Sequence, residues 1–375
     1  MEKITANTEI KQKNRANIYQ LFRQYNELSR QDVVSKLQIS LPTVNQNLQN
    51  LQNEGLICES GSIGNTGGRK AKAYSLVKDA RTAIGIDLTK NHITVVAVDL
   101  TGSIIAKKRI VKPFERTDEY YKLLGETVEQ IIRDAGIDRS KVLGAGIGIP
   151  GLVTPDKDTV YYGGVLNCTG ATKNEFSKYI KLSTRLYHDV DASGFAEMWY
   201  NPDIKNAFYI MLSNSIGGTI YINNNQYFGE NLRGGEVGHL IIEPGGKKCY
   251  CGRRGCFDAY CSATVLSSLT GGNLAVFFSL LKSGNEEACE RWDVYLHHLA
   301  NTVFDLRMLF DCPIIIGGYI GEYIDEYLDD LKSIIAKDNK AFDNNLDYIL
   351  PCKFKMHATA VGAALYYISD FLRQI

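Results

Sequence analysis

Residues 234–258 read GGEVGHLIIEPGGKKCYCGRRGCFD and hold a compact set of candidate metal ligands. Cys249, Cys251 and Cys256 fall within eight residues, and His239 lies ten residues before the first of them. Three thiolates and one imidazole form the tetrahedral donor set of structural zinc, with no position left open for catalysis. Buried free thiols or a redox pair are the alternatives, although the neighbouring basic residues disfavour an apolar core: Lys247, Lys248, Arg253 and Arg254. The segment therefore predicts a structural Zn²⁺ site.

The N-terminal 80 residues carry helix and turn signals in the order of a winged helix. A first helix is predicted by an apolar stripe at helical spacing, namely Ile18, Leu21, Phe22 and Tyr25. Ser29 and Asp32 form a capping-box pattern for a second helix, and Ser40 can cap a third. Two short strands are predicted at 57–60 and 72–77, on either side of a glycine-rich tip. This order predicts a DNA-binding unit.

The third of these helices is predicted to be the recognition helix. Val44, Leu48 and Leu51 face the core, so the amide side chains face away from it. Asn and Gln can pair with adenine edges in the major groove, whereas basic residues on a wing reach phosphates or the minor groove. The residues predicted to contact DNA are Thr43, Asn45, Gln46 and Gln49 on the helix, and Arg69 and Lys70 on the wing. The alternative is that this polar helix face is simply solvated.

Composition and charge are consistent with a DNA-binding end on a larger body. The 375 residues are 45% hydrophobic and 22% charged, with a formal net charge of zero, which suits a globular chain of two or three units. Residues 1–80 hold 11 Lys and Arg against 7 Asp and Glu, a net of +4, so the remainder carries −4. No signal peptide or apolar run of about 18 residues is visible, which predicts a cytoplasmic protein without a membrane span.

Beyond residue 80 the chain predicts two related α/β lobes. A strand–turn–strand pattern occurs at 82–87, 92–100 and 102–110, and a similar one recurs at 207–212, 219–223 and near Tyr227. Helical patterns lie between and after these strands, at 119–135, 262–282, 286–310 and 358–372.

The segment Glu-x-Gly-His followed by Cys-x-Cys-Gly-x-x-Gly-Cys-Phe-Asp resembles the signature of the ROK family of repressors and sugar kinases. Further stretches resemble other parts of the family pattern, at 147–151, 166–167, 188–197, 314–318 and 360–364. The resemblance covers essentially the whole chain. A winged helix at the front is the arrangement of the family's repressors, and the kinases lack it.

The resemblance implies an α/β, actin-like (ribonuclease-H-like) two-lobed ATPase fold preceded by the winged helix-turn-helix. The implied domains are 1–78 for the winged helix, 79–200 with 357–375 for the first lobe, and 201–356 for the second lobe with its zinc site. A sugar is expected in the cleft between the lobes, and His239 would face it with the ring nitrogen that does not hold zinc. The implied sugar-binding residues are Gly151, Asn167, His188, Asp189, Glu236, His239 and Asp258. His188 and Asp258 replace the Asn and Glu that are usual in the kinases.

The phosphate-binding loops of the family are altered in this chain. Asp189 aligns with the family's catalytic base, which taken alone would favour an enzyme. Family kinases, however, carry D-x-G-G-T in the first hairpin, where this chain has Asp87-Leu-Thr-Lys-Asn91. In the second hairpin, 213–219 read SNSIGGT against G-T-G-x-G-G-G, with three of the five glycines replaced. Phosphate loops need glycines for close backbone approach, so we expect no catalytic residue and read Asp189 as a sugar ligand or a structural carboxylate.

These features together predict a sugar-responsive repressor that binds a double-stranded operator as a homodimer or tetramer. The main alternative is an ATP-dependent sugar kinase that carries a DNA-binding domain. A third hypothesis is a regulator sequestered by a partner protein, which no specific residue supports.

Overall fold

The computed structural model describes residues 2–63, 71–338 and 345–375. Its N-terminal unit has three helices and a small sheet. The helices are α1 (Glu2–Gln24), α2 (Arg30–Leu37) and α3 (Leu41–Asn53), and the strands are β1 (Leu28–Ser29), β2 (Ile57–Ile63) and β3 (Ala71–Leu76). The sheet order is β1-β3-β2, and both predicted caps are present, at Ser29 and Ser40. This is the helix and strand order of a winged helix.

One detail of the first helix differs from the prediction. Ile18, Leu21 and Phe22 are buried, but Tyr25 lies after the end of α1 and is 42% exposed. The ammonium of Lys36 lies 4.0 Å from its ring centroid, so a cation–π contact takes the place of core packing.

The first lobe is built on a five-stranded sheet. Its elements are β4 (Thr82–Leu88), β5 (His92–Asp99), β6 (Ile104–Val111), α4 (Asp118–Asp134), β7 (Val142–Ile149), β8 (Leu152–Val153), β9 (Val160–Tyr162), α5 (Lys173–Phe176), β10 (Thr184–His188) and α6 (Asp189–Tyr200). Short 3₁₀ turns occur at Lys78–Ala80 and Arg139–Lys141. The sheet order is β10-β7-β4-β5-β6, and β8 pairs with β9 in a separate hairpin.

The second lobe repeats this topology. Its elements are β11 (Ala207–Leu212), β12 (Ile216–Ile222), β13 (Asn225–Tyr227), α7 (Asp258–Cys261), α8 (Ala263–Ser267), α9 (Leu274–Lys282), α10 (Glu286–Phe310), β14 (Ile314–Gly317), α11 (Leu328–Asp338) and β15 (Ile349–Pro351). The last helix, α12 (Ala358–Leu372), follows β15 and packs on the first lobe. The 3₁₀ turns are Val237–His239, Ser268–Thr270, Ile320–Glu322 and Ile324–Tyr327. The order β13-β12-β11-β14-β15 matches that of the first sheet, with two antiparallel strands and two parallel ones around the first strand.

The prediction of one continuous helix at 262–282 is wrong. The structure divides it into α8, a 3₁₀ turn and α9, because Gly271 and Gly272 adopt left-handed backbone angles with φ of 62° and 93°. No single described helix is long and apolar enough to cross a membrane, while the bent pair 263–270 and 274–282 has the required length and composition jointly.

Helix α12 returns from the second lobe to pack on the first sheet and on α6. A Cβ atom at Gly362 would lie 1.7 Å from the carbonyl oxygen of Ala192 in α6, and one at Gly85 would lie 1.7 Å from that of Ala360. The backbones are therefore in direct contact at these points. The same apolar cluster also contains residues of the N-terminal unit, so α12 joins the winged helix to the first lobe.

We expect Gly362→Ala to destabilise the protein by about 1–3 kcal/mol, the usual cost of overpacking, although alanine is the better helix former. The added methyl group must push α12 away from α6. Urea unfolding measures the effect, with Ser369→Ala on the same helix as a control that should change the free energy of unfolding by less than about 0.5 kcal/mol. An unchanged Gly362→Ala midpoint would contradict the direct contact.

Candidate functional site

A cleft of about 730 Å³ opens where the carboxyl ends of the two sheets face each other. Asp87 at the end of β4, Asp189 at the start of α6 and Met211 near the end of β11 line it. Other parts of the wall include the β4–β5 and β11–β12 turns, the N-terminus of α12 and Tyr250. Clefts at the carboxyl edge of α/β sheets are where such folds bind small molecules.

A smaller pocket of about 60 Å³ branches from this cleft and brings together five of the predicted sugar-binding residues. These are Gly151, His188, Asp189, Glu236 and His239. Polar groups that converge from several elements on one pocket are typical of a site that orients a small ligand.

Local structure explains how Glu236 and His239 come to face the same pocket. The 3₁₀ turn Val237–His239 places these two side chains three residues apart, on one side of the turn. The turn packs against β12 so closely that a Cβ atom at Gly238 would lie 2.2 Å from the carbonyl oxygen of Ile216. The glycine between the two functional residues is therefore required by this contact.

His188 and Asp189 sit at the junction between β10 and α6. The carboxylate of Asp189 accepts a hydrogen bond of 2.8 Å from the backbone of Val190, and its Oδ1 lies 3.4 Å from Nε2 of His188. Burial and the nearby carboxylate of Asp87 raise the pKa of Asp189 well above its usual range. Burial lowers the pKa of His188 to about 4, so this imidazole is neutral at pH 7. Both side chains can thus exchange hydrogen bonds with sugar hydroxyls.

Two predicted sugar ligands lie away from the pocket. Asn167 is exposed and adopts a left-handed backbone conformation with φ of 52°, and it lines neither the cleft nor the small pocket. Asp258 is buried behind the pocket, where its Oδ2 accepts a 2.7 Å hydrogen bond from the backbone of Ile216. In this structure Asp258 fixes the start of β12 rather than facing a ligand. Gly151 does reach the pocket. A Cβ atom at this position would lie 2.5 Å from the carbonyl oxygen of Tyr162, so packing against Tyr162 requires a glycine here.

The turns that correspond to the phosphate loops line the cleft with residues other than glycine. In the β4–β5 turn, the hydroxyl of Thr89 accepts a 3.0 Å hydrogen bond from the backbone of His92, and Lys90 and Asn91 also line the cleft. In the β11–β12 turn, the residues that line the cleft are Ser213, Asn214 and Ser215.

The glycines retained in the second of these regions lie in strand β12 and serve packing. A Cβ atom at Gly218 would lie 2.5 Å from the ring of Phe208, and one at Gly217 would lie 3.3 Å from Val190. Packing therefore requires Gly218 without any phosphate, and a side chain at Gly217 would press on Val190.

The four predicted metal ligands form one cluster, with one ligand atom from each lying within 4.8 Å of the others. The Sγ atoms of Cys251 and Cys256 are 3.8 Å apart, and Sγ of Cys249 is 3.9 Å from Nδ1 of His239. Tetrahedral zinc with bonds of about 2.3 Å to sulfur requires S···S distances of roughly 3.8 Å. The donor set and its spacing therefore fit a zinc ion. Gly255, with φ of 82°, permits the close turn, since its Cβ would lie 1.8 Å from the carbonyl oxygen of Glu243.

The exposed face of α3 carries the predicted base-contacting residues. Asn45, Gln46 and Gln49 are exposed, and Thr43 is half-buried beside the cap residue Ser40. Along this face the amide of Gln46 donates to Asn50 and that of Gln49 to Asn53, both at 3.0 Å. Arg69 and Lys70 of the predicted wing lie outside the described residues.

We expect Gln46→Ala to reduce sequence-specific DNA binding by about 1–3 kcal/mol while leaving non-specific binding nearly unchanged. Gln52→Ala, in the same helix but half-buried, is the matched control. Fluorescence anisotropy with a selected site and a scrambled duplex separates the two forms of binding. Equal losses on both duplexes would show that Gln46 does not read bases.

Several residues at the site were not predicted from the sequence. Tyr250 lines both the cleft and the small pocket, from its position between two cysteines. Ser193 and Thr359 join α6 to α12 at the cleft floor through a 2.9 Å hydrogen bond. The only sequence signal for Tyr250 is its place in the Cys-x-Cys motif, and no pattern indicated the other two.

Comparison with known proteins assigns the family. The model of the ROK family matches residues 83–369, and the chain belongs to that family. Among curated relatives, the DNA-binding transcriptional dual regulator NagC of Escherichia coli K12 is 26% identical over 94% of this chain and 92% of its own length. The xylose repressor of Bacillus subtilis is 25% identical over 64% of this chain and 63% of its own length.

Solved structures show the same fold and differ in how much of the chain they cover. A ROK family transcriptional regulator, described as a homologue of the E. coli MLC protein, has a TM-score of 0.72 and 22% identity, covering 97% of each chain. A ROK family glucokinase from Streptomyces griseus, solved with glucose and AMPPNP, has a TM-score of 0.62 and 22% identity, covering 76% of this chain and 98% of its own. The regulator therefore extends over parts of this chain that the kinase leaves unmatched.

Proposed function

We propose that this protein is a sugar-responsive transcription regulator, acting as a repressor in the cytoplasm on genes of carbohydrate metabolism. The observation that carries the proposal is a polar pocket with Asp189, Glu236 and His239 in the same chain as an exposed amide-rich helix. The names of the relatives, an N-acetylglucosamine repressor and a xylose repressor among them, point in the same direction. The proposed ligands are a double-stranded operator and a small sugar.

The proposed metal is zinc, held by His239, Cys249, Cys251 and Cys256. It would supply structure rather than catalysis, because all four ligand positions come from the protein. Fixing Nδ1 of His239 orients its ring, so that Nε2 can face a sugar hydroxyl. The metal site thereby holds one wall of the sugar pocket.

The proposed route from sugar to DNA runs along α6 and α12. Asp189 begins α6 in the cleft, and Trp199 near its other end lies under the guanidinium of Arg23 in α1, 4.3 Å from the ring centroid. Helix α12 likewise starts at the cleft and packs its far end in the same apolar cluster as α1. A shift of either helix on sugar binding would therefore reposition the winged helix.

Operator recognition by two recognition helices would use a homodimer or tetramer. In that arrangement the half-sites lie about 34 Å apart, or a multiple of that distance. A coupling of roughly 1–3 kcal/mol between sugar and operator would be enough to switch a promoter.

The test is a titration of N-acetylglucosamine, xylose and glucose while operator binding is followed by fluorescence anisotropy. The operator is first selected from a random DNA pool by the purified full-length protein. A sugar that changes operator affinity at least fivefold supports the proposal. If DNA is selected but no sugar changes the affinity of the protein for it, sugar sensing is contradicted. If no site can be selected at all, DNA recognition is contradicted.

A second candidate, sugar kinase activity, is favoured by one observation, the presence of Asp189 in an open 730 Å³ cleft. Phosphoryl transfer would also require the phosphates of a nucleotide to approach the turn backbones, where side chains now project. A coupled ADP-release assay with the same sugars tests it. Turnover that is lost in Asp189→Asn would establish the kinase and displace the proposal above.

A further inference from the structure

Tyr250 occupies an unusual position at the mouth of the pocket. Its backbone lies between two cysteines of the metal cluster, in a turn closed by hydrogen bonds from Cys249 N to Arg253 O (2.8 Å) and from Gly252 N to Cys249 O (3.0 Å). Its side chain is 57% exposed and forms part of the wall of both the cleft and the small pocket. The backbone is therefore fixed while the ring borders open space.

The hydroxyl of Tyr250 contacts the ring nitrogen that the sugar is expected to use. It lies 3.4 Å from Nε2 of His239, and the two rings meet edge to face with centroids 5.4 Å apart. A histidine that gives the lone pair of Nδ1 to a metal carries its proton on Nε2. That N–H then has one acceptor at a time, either the Tyr250 oxygen or a sugar oxygen.

The position of Tyr250 between the two cavities supports the same view. The small pocket of about 60 Å³ opens into the cleft of about 730 Å³, and Tyr250 lines both. Tyr250 is 57% exposed, so its side chain borders solvent into which it can turn outward.

We infer that Tyr250 is a gate and a specificity-determining residue of the sugar pocket, whose hydroxyl holds Nε2–H of His239 until a sugar hydroxyl replaces it. This inference rests on the proposed function, because it assigns a role toward the same ligand. Sugars that place a hydroxyl oxygen at the position of the phenol oxygen displace the gate. Sugars that lack an oxygen there leave it closed and bind weakly.

The first test is isothermal calorimetry of the full-length, zinc-loaded protein with N-acetylglucosamine, xylose and glucose. Tyr250→Phe removes the competing hydroxyl, and the affinity for a binding sugar is expected to rise roughly 2- to 12-fold, the span of one neutral hydrogen bond. Tyr161→Phe, a similarly exposed tyrosine outside both pockets, should leave the affinity unchanged. Equal or weaker binding by Tyr250→Phe would overturn the inference while the proposed function stands.

The second test needs no sugar. In the ligand-free protein, ¹⁵N-histidine NMR should show the Nε2–H proton of His239 exchanging with solvent faster in Tyr250→Phe than in the parent protein or in Tyr161→Phe. Identical exchange would overturn the inference. If none of the three sugars binds the parent protein, sugar sensing fails separately, and the exchange measurement still decides whether Tyr250 holds His239.

Discussion

Replacing Cys256 by serine is expected to release the metal and abolish the response to sugar, while operator binding without sugar persists. Cys256 is fully buried, and its Sγ lies 3.8 Å from that of Cys251. Without the metal, the turn that contains Tyr250 and the ring of His239 lose their common anchor. The described part of the winged helix has its own buried residues, including Val44 and Leu48, in an apolar cluster that contains no residue of this loop, so its contacts with DNA should be preserved.

Cys256→Ser should lower the free energy of unfolding substantially, but the protein should still fold. Binding energy of structural zinc is folding energy, and in isolated fingers it amounts to about 10–16 kcal/mol. The second lobe also has a large apolar core of its own, so we expect a loss of about 2–4 kcal/mol and a fall in Tm of roughly 5–15 °C.

Metal content, thermal unfolding and sugar calorimetry measure these effects in one preparation. Cys289→Ser, which changes an exposed cysteine outside the cluster, is the matched control and should behave as the parent protein. Full sugar affinity in a Cys256→Ser protein that contains no metal would show that the cluster does not support the pocket.

The second large effect is expected for Asp189→Asn, which should weaken sugar binding roughly 5- to 150-fold without loss of stability. The carboxyl group converges on the pocket with Glu236 and His239, and an amide in its place changes the hydrogen-bond donors and acceptors that a sugar hydroxyl meets there. A mismatched buried polar group costs about 1–3 kcal/mol, which gives the expected range.

The stability of Asp189→Asn follows from the raised pKa of the native residue. A carboxyl group whose folded pKa is raised binds its proton more tightly in the folded state, so it costs stability as the pH rises above its unfolded value of about 4. Asparagine removes that cost and the repulsion from Asp87. We therefore expect a Tm at pH 7 at least equal to that of the parent protein.

Calorimetry and thermal unfolding at pH 7 check both statements, with the exposed residue Asp203 changed to Asn as the control. Unchanged sugar affinity in Asp189→Asn would remove this residue from the site. A markedly lower Tm would instead identify Asp189 as a structural carboxylate.

Much of the fold was predictable because its signals are local. The capping residues Ser29 and Ser40 and the apolar positions of α3 are set by neighbours a few residues away, and the structure confirms them. The recurring strand–turn–strand pattern indicated two related lobes, and the structure confirms that each lobe begins with three consecutive strands. The break at Gly271 and Gly272 was missed, because an isolated glycine pair does not by itself distinguish a bend from a helix interior.

The site was predictable only in part, because its remaining members depend on packing between distant segments. The cysteine spacing indicated the metal cluster. The turn around Gly238 brings the side chains of Glu236 and His239 to the same pocket. Asn167 and Asp258 matched the pattern of the family, but the conformation of one loop and the hydrogen bond to Ile216 direct them elsewhere. Tyr250 depends on a three-dimensional contact with His239 that no spacing rule encodes.

The coupling between sugar and operator is tested most directly by measuring sugar affinity twice, for the free protein and for its complex with the selected operator. Linkage requires that a sugar which changes operator affinity by some factor has its own affinity changed by the same factor. For a repressor released by its effector, sugar should bind roughly 5- to 150-fold more weakly to the operator complex than to the free protein. Identical sugar affinity in the two states would contradict this coupling.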